Sequence, residues 1–228
     1  MNEYSDGSRF PGGLTFFTPE GEETERLKKF CARGIAGAEL YTLLQMDGDG
    51  FPEGRVFCAE ENGETVAAVY RGPDYTVTKA PGVYPVEGLK LLRFKTAFPC
   101  PAVFMMKMRL AELDTLTSLL ACGAKTYGDE ARYVYKARCL RDGFYRGYCI
   151  YENGVLVSAA ATVAENGDSA LLGDVFTRPD YRGKGYASAC VTAACADALS
   201  RGKTPWALCE NGTVAFYKKL GFEETDAV

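Results

Sequence analysis

The chain has 228 residues, 47% apolar and 25% charged, a globular balance that excludes disorder or a collagen-like repeat for its bulk and fits one large domain or two small ones. Lys and Arg number 26 against 30 Asp and Glu, a net charge of −4, which argues against nucleic acid as a partner. No apolar run approaches the roughly 18–20 residues of a membrane span, and the polar start Met1-Asn2-Glu3-Tyr4-Ser5-Asp6 is unlike a targeting leader. A cytoplasmic protein with no membrane partner is expected, and a homo-oligomer stays open.

Histidine is absent. Ser-His-Asp and Cys-His nucleophiles, imidazole bases and His-containing metal sites are thereby excluded. The nine cysteines (Cys31, Cys58, Cys100, Cys122, Cys139, Cys149, Cys190, Cys195 and Cys209) form no C-x-x-C pair. They are expected to be buried thiols in a reducing compartment, with no metal.

In chain order, Thr18-Pro19-Glu20 reads as a helix start, with Thr18 as cap and acids in the first turn. That helix runs toward Gly34, and a second covers 38–46. Asp47-Gly48-Asp49-Gly50 is a loop without the downstream ligands of a calcium site. Strands are expected at 55–60 and 64–71 around an Asn62-Gly63 turn, then at 75–80. Residues 85–98 read as a helix, 102–108 as a strand, 111–122 as a helix stopped by Gly123, and 131–137 as a strand.

The order then repeats. Glu61-Asn62-Gly63 returns as Glu152-Asn153-Gly154, 91 residues on, and Cys122-Gly123-Ala124 returns as Leu220-Gly221-Phe222, 98 residues on. Tandem duplication explains the matching order better than chance. In the second copy, 170–177 is an apolar strand interrupted by Asp174. A helix follows with an apolar stripe at Ala187, Cys190, Val191, Ala194, Cys195, Ala198 and Leu199, ended by Gly202. Residues 204–210 form a strand, and 213–220 a helix stopped by Gly221.

Between strand and helix lies Arg182-Gly183-Lys184-Gly185-Tyr186-Ala187. Glycines let backbone approach an oxyanion, and the helix start turns free N–H groups toward it. The Walker pattern fails at Tyr186 and Ala187, and the dinucleotide pattern lacks its third Gly at Ser188. The pattern that fits is R-x-x-G-x-[GA], through Arg182, Gly185 and Ala187.

With the preceding Val175-Phe176-Thr177, Pro179 and Tyr181, and the later Ala215-Phe216-Tyr217-Lys218-Lys219-Leu220-Gly221-Phe222, residues 140–222 resemble the GNAT superfamily of N-acetyltransferases. The resemblance implies an α/β (α+β) protein of two GNAT-like domains, each a mixed, mostly antiparallel sheet flanked by helices. Residues 1–125 would be a degenerate copy, since 79–88 lacks the loop motif and carries Pro81 and Pro85; residues 126–228 would bind acetyl-CoA. It further implies pantetheine on the backbone of Val175, Phe176 and Thr177, and pyrophosphate on Arg182, Gly183, Lys184, Gly185, Tyr186 and Ala187. Asn211 would lie near the thioester. Its gap to Tyr217 is six residues where the family has seven, so Asn211 also reads as a plain helix start.

The implied chemistry is direct transfer of acetyl from acetyl-CoA to an amine of a small molecule or peptide, helped mainly by positioning. Tyr217 would protonate the leaving thiolate, against the alternative of a packed aromatic. Asp174 is a candidate base, with Glu152 and Glu210 behind it and solvent as the remaining acceptor. A non-catalytic acyl-CoA-binding or regulatory module is the alternative reading. The resemblance also implies a further strand after Phe222, to be supplied by 127–136 or missing.

Overall fold

A computed structural model describes residues 14–45, 55–71, 76–80, 89–95, 106–109, 113, 115–116 and 130–225. The Asp47-Gly48-Asp49-Gly50 loop, the 81–88 segment, Cys100, most of 111–122, Cys122 and Gly123 lie outside the described residues.

The acid-rich segment EETERLKKFC forms helix α1 (Glu22–Cys31), burying Leu27 and Cys31. It begins after Gly21, which has a φ of 52°, and not at Thr18. In place of a Thr18 cap, the Glu23 carboxylate accepts the Glu20 N–H at 3.0 Å. Helix α2 (Ala38–Gln45) follows. Strands β1 (Arg55–Glu61), β2 (Glu64–Arg71) and β3 (Thr76–Lys79) make an antiparallel sheet in that order.

Strands β4 (Lys90–Phe94) and β5 (Met106–Lys107) precede helix α3 (Glu130–Asp142). Then come β6 (Arg146–Glu152), β7 (Val155–Glu165), β8 (Ser169–Thr177), helix α4 (Tyr186–Ser200), β9 (Thr204–Cys209), helix α5 (Val214–Lys219) and β10 (Phe222–Glu224). These strands form one sheet in the order β10-β4-β9-β8-β7-β6-β5. It is mixed: β8 and β9 are parallel, and the remaining neighbours antiparallel.

Two segments depart from the sequence reading. The stretch expected as a helix over 85–98 contains strand β4, and the strand expected over 131–137 is helix α3. Leu91 and Leu92 are neighbours that both need burial, and a strand buries both by pointing them to opposite faces. Pairing with β9 on one side and β10 on the other settles the matter against helical periodicity. In α3 the Tyr and Val residues suggest a strand, but tertiary packing overrides that weak preference. Tyr135 and Cys139, four apart, both pack into one apolar cluster with Tyr145 and Cys149.

The strand inserted between β9 and β10 thus comes from 90–94 and not from 127–136. Leu92 is fully buried in the cluster that also holds Cys190, Ala194, Ala207, Tyr217 and Phe222. Leu92→Ala should therefore cost about 2–5 kcal/mol of stability, read as a lower denaturation midpoint with unchanged slope. A loss under about 0.5 kcal/mol would mean that β4 is dispensable to this core.

The two Asn-Gly turns match in detail. Asn62 and Gly63 have φ of 53° and 79°, and Asn153 and Gly154 have 52° and 76°, the double positive φ of a type I′ turn. Each hairpin carries an irregularity at the same place. Pairing slips between Ala59 and Glu60 in the first and between Ile150 and Tyr151 in the second, again 91 residues apart. Helix α4 follows the expected stripe except at its two ends: Cys190, Val191, Ala194, Cys195 and Ala198 are buried, while Ala187 is half-buried and Leu199 is 46% exposed.

Candidate functional site

The site begins where two parallel strands part. β8 pairs with β9 only from Ser169 to Leu172, the last pair being Leu172 with Ala207. Beyond it β8 continues to Thr177 along β7 alone. Across that stretch, pairing jumps from Gly173 opposite Ala161 to Phe176 opposite Ala159. The extra residue is a bulge, and Asp174 within it has a φ of 50°. A bulge bends its strand and re-aims the neighbouring groups. The edge of residues 173–177 that faces β9 has no strand partner among the described residues. Val175, Phe176 and Thr177 lie on it. On the β7 side, Ser158 Oγ donates to the Phe176 carbonyl at 2.7 Å and lies 2.8 Å from Thr177 Oγ1.

The chain leaves β8 through a short 3₁₀ turn, Pro179–Tyr181. Gly183 and Gly185 then take φ of 78° and 82°, and Gly185 caps α4 in the left-handed conformation. The first helical bond runs from Ala189 N–H to Gly185 C=O at 3.0 Å. Ahead of it, the N–H groups of Gly185, Tyr186, Ala187 and Ser188 donate to no described residue, as the start of a helix requires. The Arg182 N–H, by contrast, is already bonded to the Pro179 carbonyl at 3.2 Å. The Arg182 side chain is exposed and donates to the Thr177 carbonyl at 3.3 Å, tying the loop to the end of β8.

Lys184 and Tyr186 have a partner the sequence did not announce. Tyr186 Oη donates to Glu152 at 2.6 Å, and Lys184 Nζ lies 3.5 Å from the same carboxylate. Lys184 also sits over the Tyr181 ring at 4.8 Å. The bond to Glu152 pushes the Tyr186 hydroxyl above its usual pKa. Glu152, a candidate base, is thus occupied in orienting the loop.

Tyr217 lies on α5, 7% exposed, with Phe216 and Phe222 edge-on at 5.1 and 5.4 Å. Val175, Tyr181 and Tyr186 pack against the same cluster. Its hydroxyl makes no hydrogen bond to any described residue. Burial raises its pKa well above the phenol range, with the Cys209 and Cys195 thiols adding to the rise. Asn211 is exposed at the head of a 3₁₀ turn, and its carbonyl accepts the Val214 N–H. It lies where a helix start would be. Glu210 is exposed beside it, and its carbonyl accepts from the Thr213 N–H and hydroxyl.

Asp174, the first candidate base, is not free. Lys136 Nζ contacts its two oxygens at 2.8 and 2.7 Å, and Tyr145 Oη donates to it at 2.8 Å. Neither partner could be found from the sequence, because they precede Asp174 by 38 and 29 residues and follow no motif. The seven described cysteines are all free and buried. Burial pushes the Cys31, Cys58 and Cys195 thiols up to about 12, so they are protonated and unsuited to nucleophilic work.

Residues 112–222 match the model of the acetyltransferase (GNAT) family. The matched segment, 111 of the 228 residues, holds the parted strands and the glycine loop, so this part of the chain is similar to the GNAT family. An uncharacterised N-acetyltransferase of Methanocaldococcus jannaschii is 30% identical over 134 residues, 50% of this chain and 59% of that protein. The match therefore spans less than two thirds of the relative. A GNAT-family acetyltransferase from Colwellia psychrerythraea superposes with a TM-score of 0.58 at 13% identity, over 93% of this chain and 97% of that one. A tandem GNAT protein from the clavulanic acid biosynthesis pathway superposes with a TM-score of 0.57 at 11% identity, over 93% and 96%. At those identities the likeness is one of fold. Among the described residues, no helix is long and apolar enough to cross a membrane.

Proposed function

We propose that the protein is an N-acetyltransferase that moves an acetyl group from acetyl-CoA directly to the amine of a small-molecule or peptide acceptor. The observation that carries this reading is the set of N–H groups at Gly185, Tyr186, Ala187 and Ser188 that donate to no described residue, beside the strand edge 173–177 that has no strand partner among the described residues. Four amides at a helix start suit a pyrophosphate. The open edge of Val175, Phe176 and Thr177 suits the amide-bearing pantetheine arm. Arg182, Gly183 and Lys184 would add charge and backbone freedom around the phosphates, and Asn211 would border the thioester end. The bound thioester supplies the activated acetyl group. Tyr217, kept protonated by burial, would give its proton to the departing sulfur, and solvent would take the proton of the amine.

The Asn-Gly hairpins, alike down to the slip in pairing, support a tandem of GNAT-like domains, 1–125 and 126–228. Seven buried free thiols suit a reducing, cytoplasmic setting.

A second reading has one observation in its favour. Asp174 is fully engaged and Glu152 is occupied, which leaves of the candidate bases only Glu210, exposed just after β9, and would suit a non-catalytic acyl-CoA-binding module. Calorimetry with acetyl-CoA, followed by thiol release over a panel of amines, decides between them. Binding with amine-dependent thiol release is expected. Binding without release on any amine favours the module, and no binding sinks both.

A further inference from the structure

Of the three non-glycine residues with positive φ among the described residues, Asn62 and Asn153 sit in tight turns, where asparagine is at ease. Asp174 sits inside a strand, at the bulge where β8 leaves β9. Aspartate tolerates the left-handed region better than most residues, yet still pays for it, so something must hold it there. Its side chain is 4% exposed, and Lys136, 13% exposed, closes on both oxygens. Tyr145, 1% exposed, supplies a third donor. The two partners stand on separate elements, Lys136 in α3 and Tyr145 at the entry to β6. A carboxylate gripped from two directions cannot rotate without leaving an unpaired charge in the interior.

We propose that Lys136 and Tyr145 are positioning residues: through the Asp174 carboxylate they lock the bulge that turns the backbone edge of residues 175–177 away from β9. This rests on the acetyl-CoA reading only for its consequence, the alignment of the acyl donor along that edge. It gives Asp174 a role other than that of base. Both oxygens of that carboxylate already accept from the Lys136 ammonium, and one also from the Tyr145 phenol.

The test uses the full chain as Lys136→Met, Lys136→Arg, Asp174→Asn and the double variant Lys136→Met/Asp174→Asn. Asparagine keeps the tolerance for positive φ while removing the charge. The double variant leaves no unpaired buried ion, so it stays informative where a single variant fails to fold. Amide hydrogen exchange needs no ligand and is read first. Exchange over residues 173–177 should rise by about tenfold or more in Lys136→Met, Asp174→Asn and the double variant, with 169–172 unchanged. Lys136→Arg, which keeps the charge, should restore most of the protection.

Acetyl-CoA affinity should weaken about tenfold in the same variants, with kcat at saturation within roughly threefold and its pH profile unmoved. Unchanged exchange over 173–177 in folded variants overturns the proposal. So does an Asp174→Asn enzyme that keeps its affinity but loses kcat and the acidic limb of its profile, because that is the behaviour of a base. A wild-type chain that does not bind acetyl-CoA defeats the functional reading alone, while the exchange result still decides whether the pair locks the bulge.

Discussion

Arg182→Glu should abolish detectable binding of CoA, a weakening of at least about a hundredfold, while leaving the protein folded. The guanidinium is exposed and has a single long bond, 3.3 Å to the Thr177 carbonyl, so its loss costs little stability. Reversal of charge places a carboxylate beside amides arranged for an anion, and repulsion adds to the lost contact. Gly185→Val should act similarly by another route. Gly185 has a φ of 82°, which a β-branched residue adopts only with strain, so the first turn of α4 would shift and its N–H groups would lose their aim. Gly82→Val, in the first half, is the control and should leave affinity nearly unchanged. Calorimetry with CoA reads all three. Wild-type affinity in folded Arg182→Glu would remove the loop from cofactor binding, and an effect of Gly82→Val would point to a second site.

Tyr217→Phe should lower kcat by about 10–10³-fold, within the range a general acid contributes, with acetyl-CoA affinity and stability nearly intact. The hydroxyl bonds to no described residue, and the ring contacts with Phe216 and Phe222 survive the change. The pH dependence carries a sign. Burial holds the phenol's pKa above its usual value near 10, so the active, protonated form persists through neutral and mildly alkaline pH. Activity owed to this proton falls only as pH rises through that raised value. An alkaline limb due to Tyr217 must therefore lie above the ordinary phenol range and vanish in Tyr217→Phe. A Phe variant with wild-type turnover on the true acceptor would return Tyr217 to the role of a packed aromatic.

The second half of the chain was legible because its signals are local. Gly183, Gly185, Gly202 and Gly221 all take the positive φ that punctuates strand and helix, and the α4 stripe has an unbroken helical period up to Leu199. Residues 90–94 were misread because five residues are too few for a period to tell helix from strand, and the partners that fix them lie more than a hundred positions later. Residues 131–137 were misread because Tyr-Val-Tyr favours strands in isolation, while the neighbours that Tyr135 and Cys139 pack among include Met108, Leu113 and Leu116 and residues of β6 and β7. Asp174 was singled out, yet its engagement with Lys136 and Tyr145 depends on how three elements meet. No spacing rule encodes such a meeting.

Strand β4 also sets how the molecule can breathe. A hinge between the first and second halves would have to tear Lys90–Arg93 from β9 and Leu92–Phe94 from β10 at once. A second fastening lies at the turn between β7 and β8, where Asn166 Nδ2 donates to the Cys31 and Gly34 carbonyls at 3.0 and 2.8 Å. Each backbone bond contributes only about 1 kcal/mol net, but a rigid-body opening breaks them together and exposes Leu92 and Phe94 to water besides. Wide clamshell motion is thereby suppressed. On the acetyl-transfer reading proposed above, access for an acceptor would then fall to side-chain rearrangement and movement of loops at the rim, with the sheet beneath a stiff anvil against which two reactants are pressed.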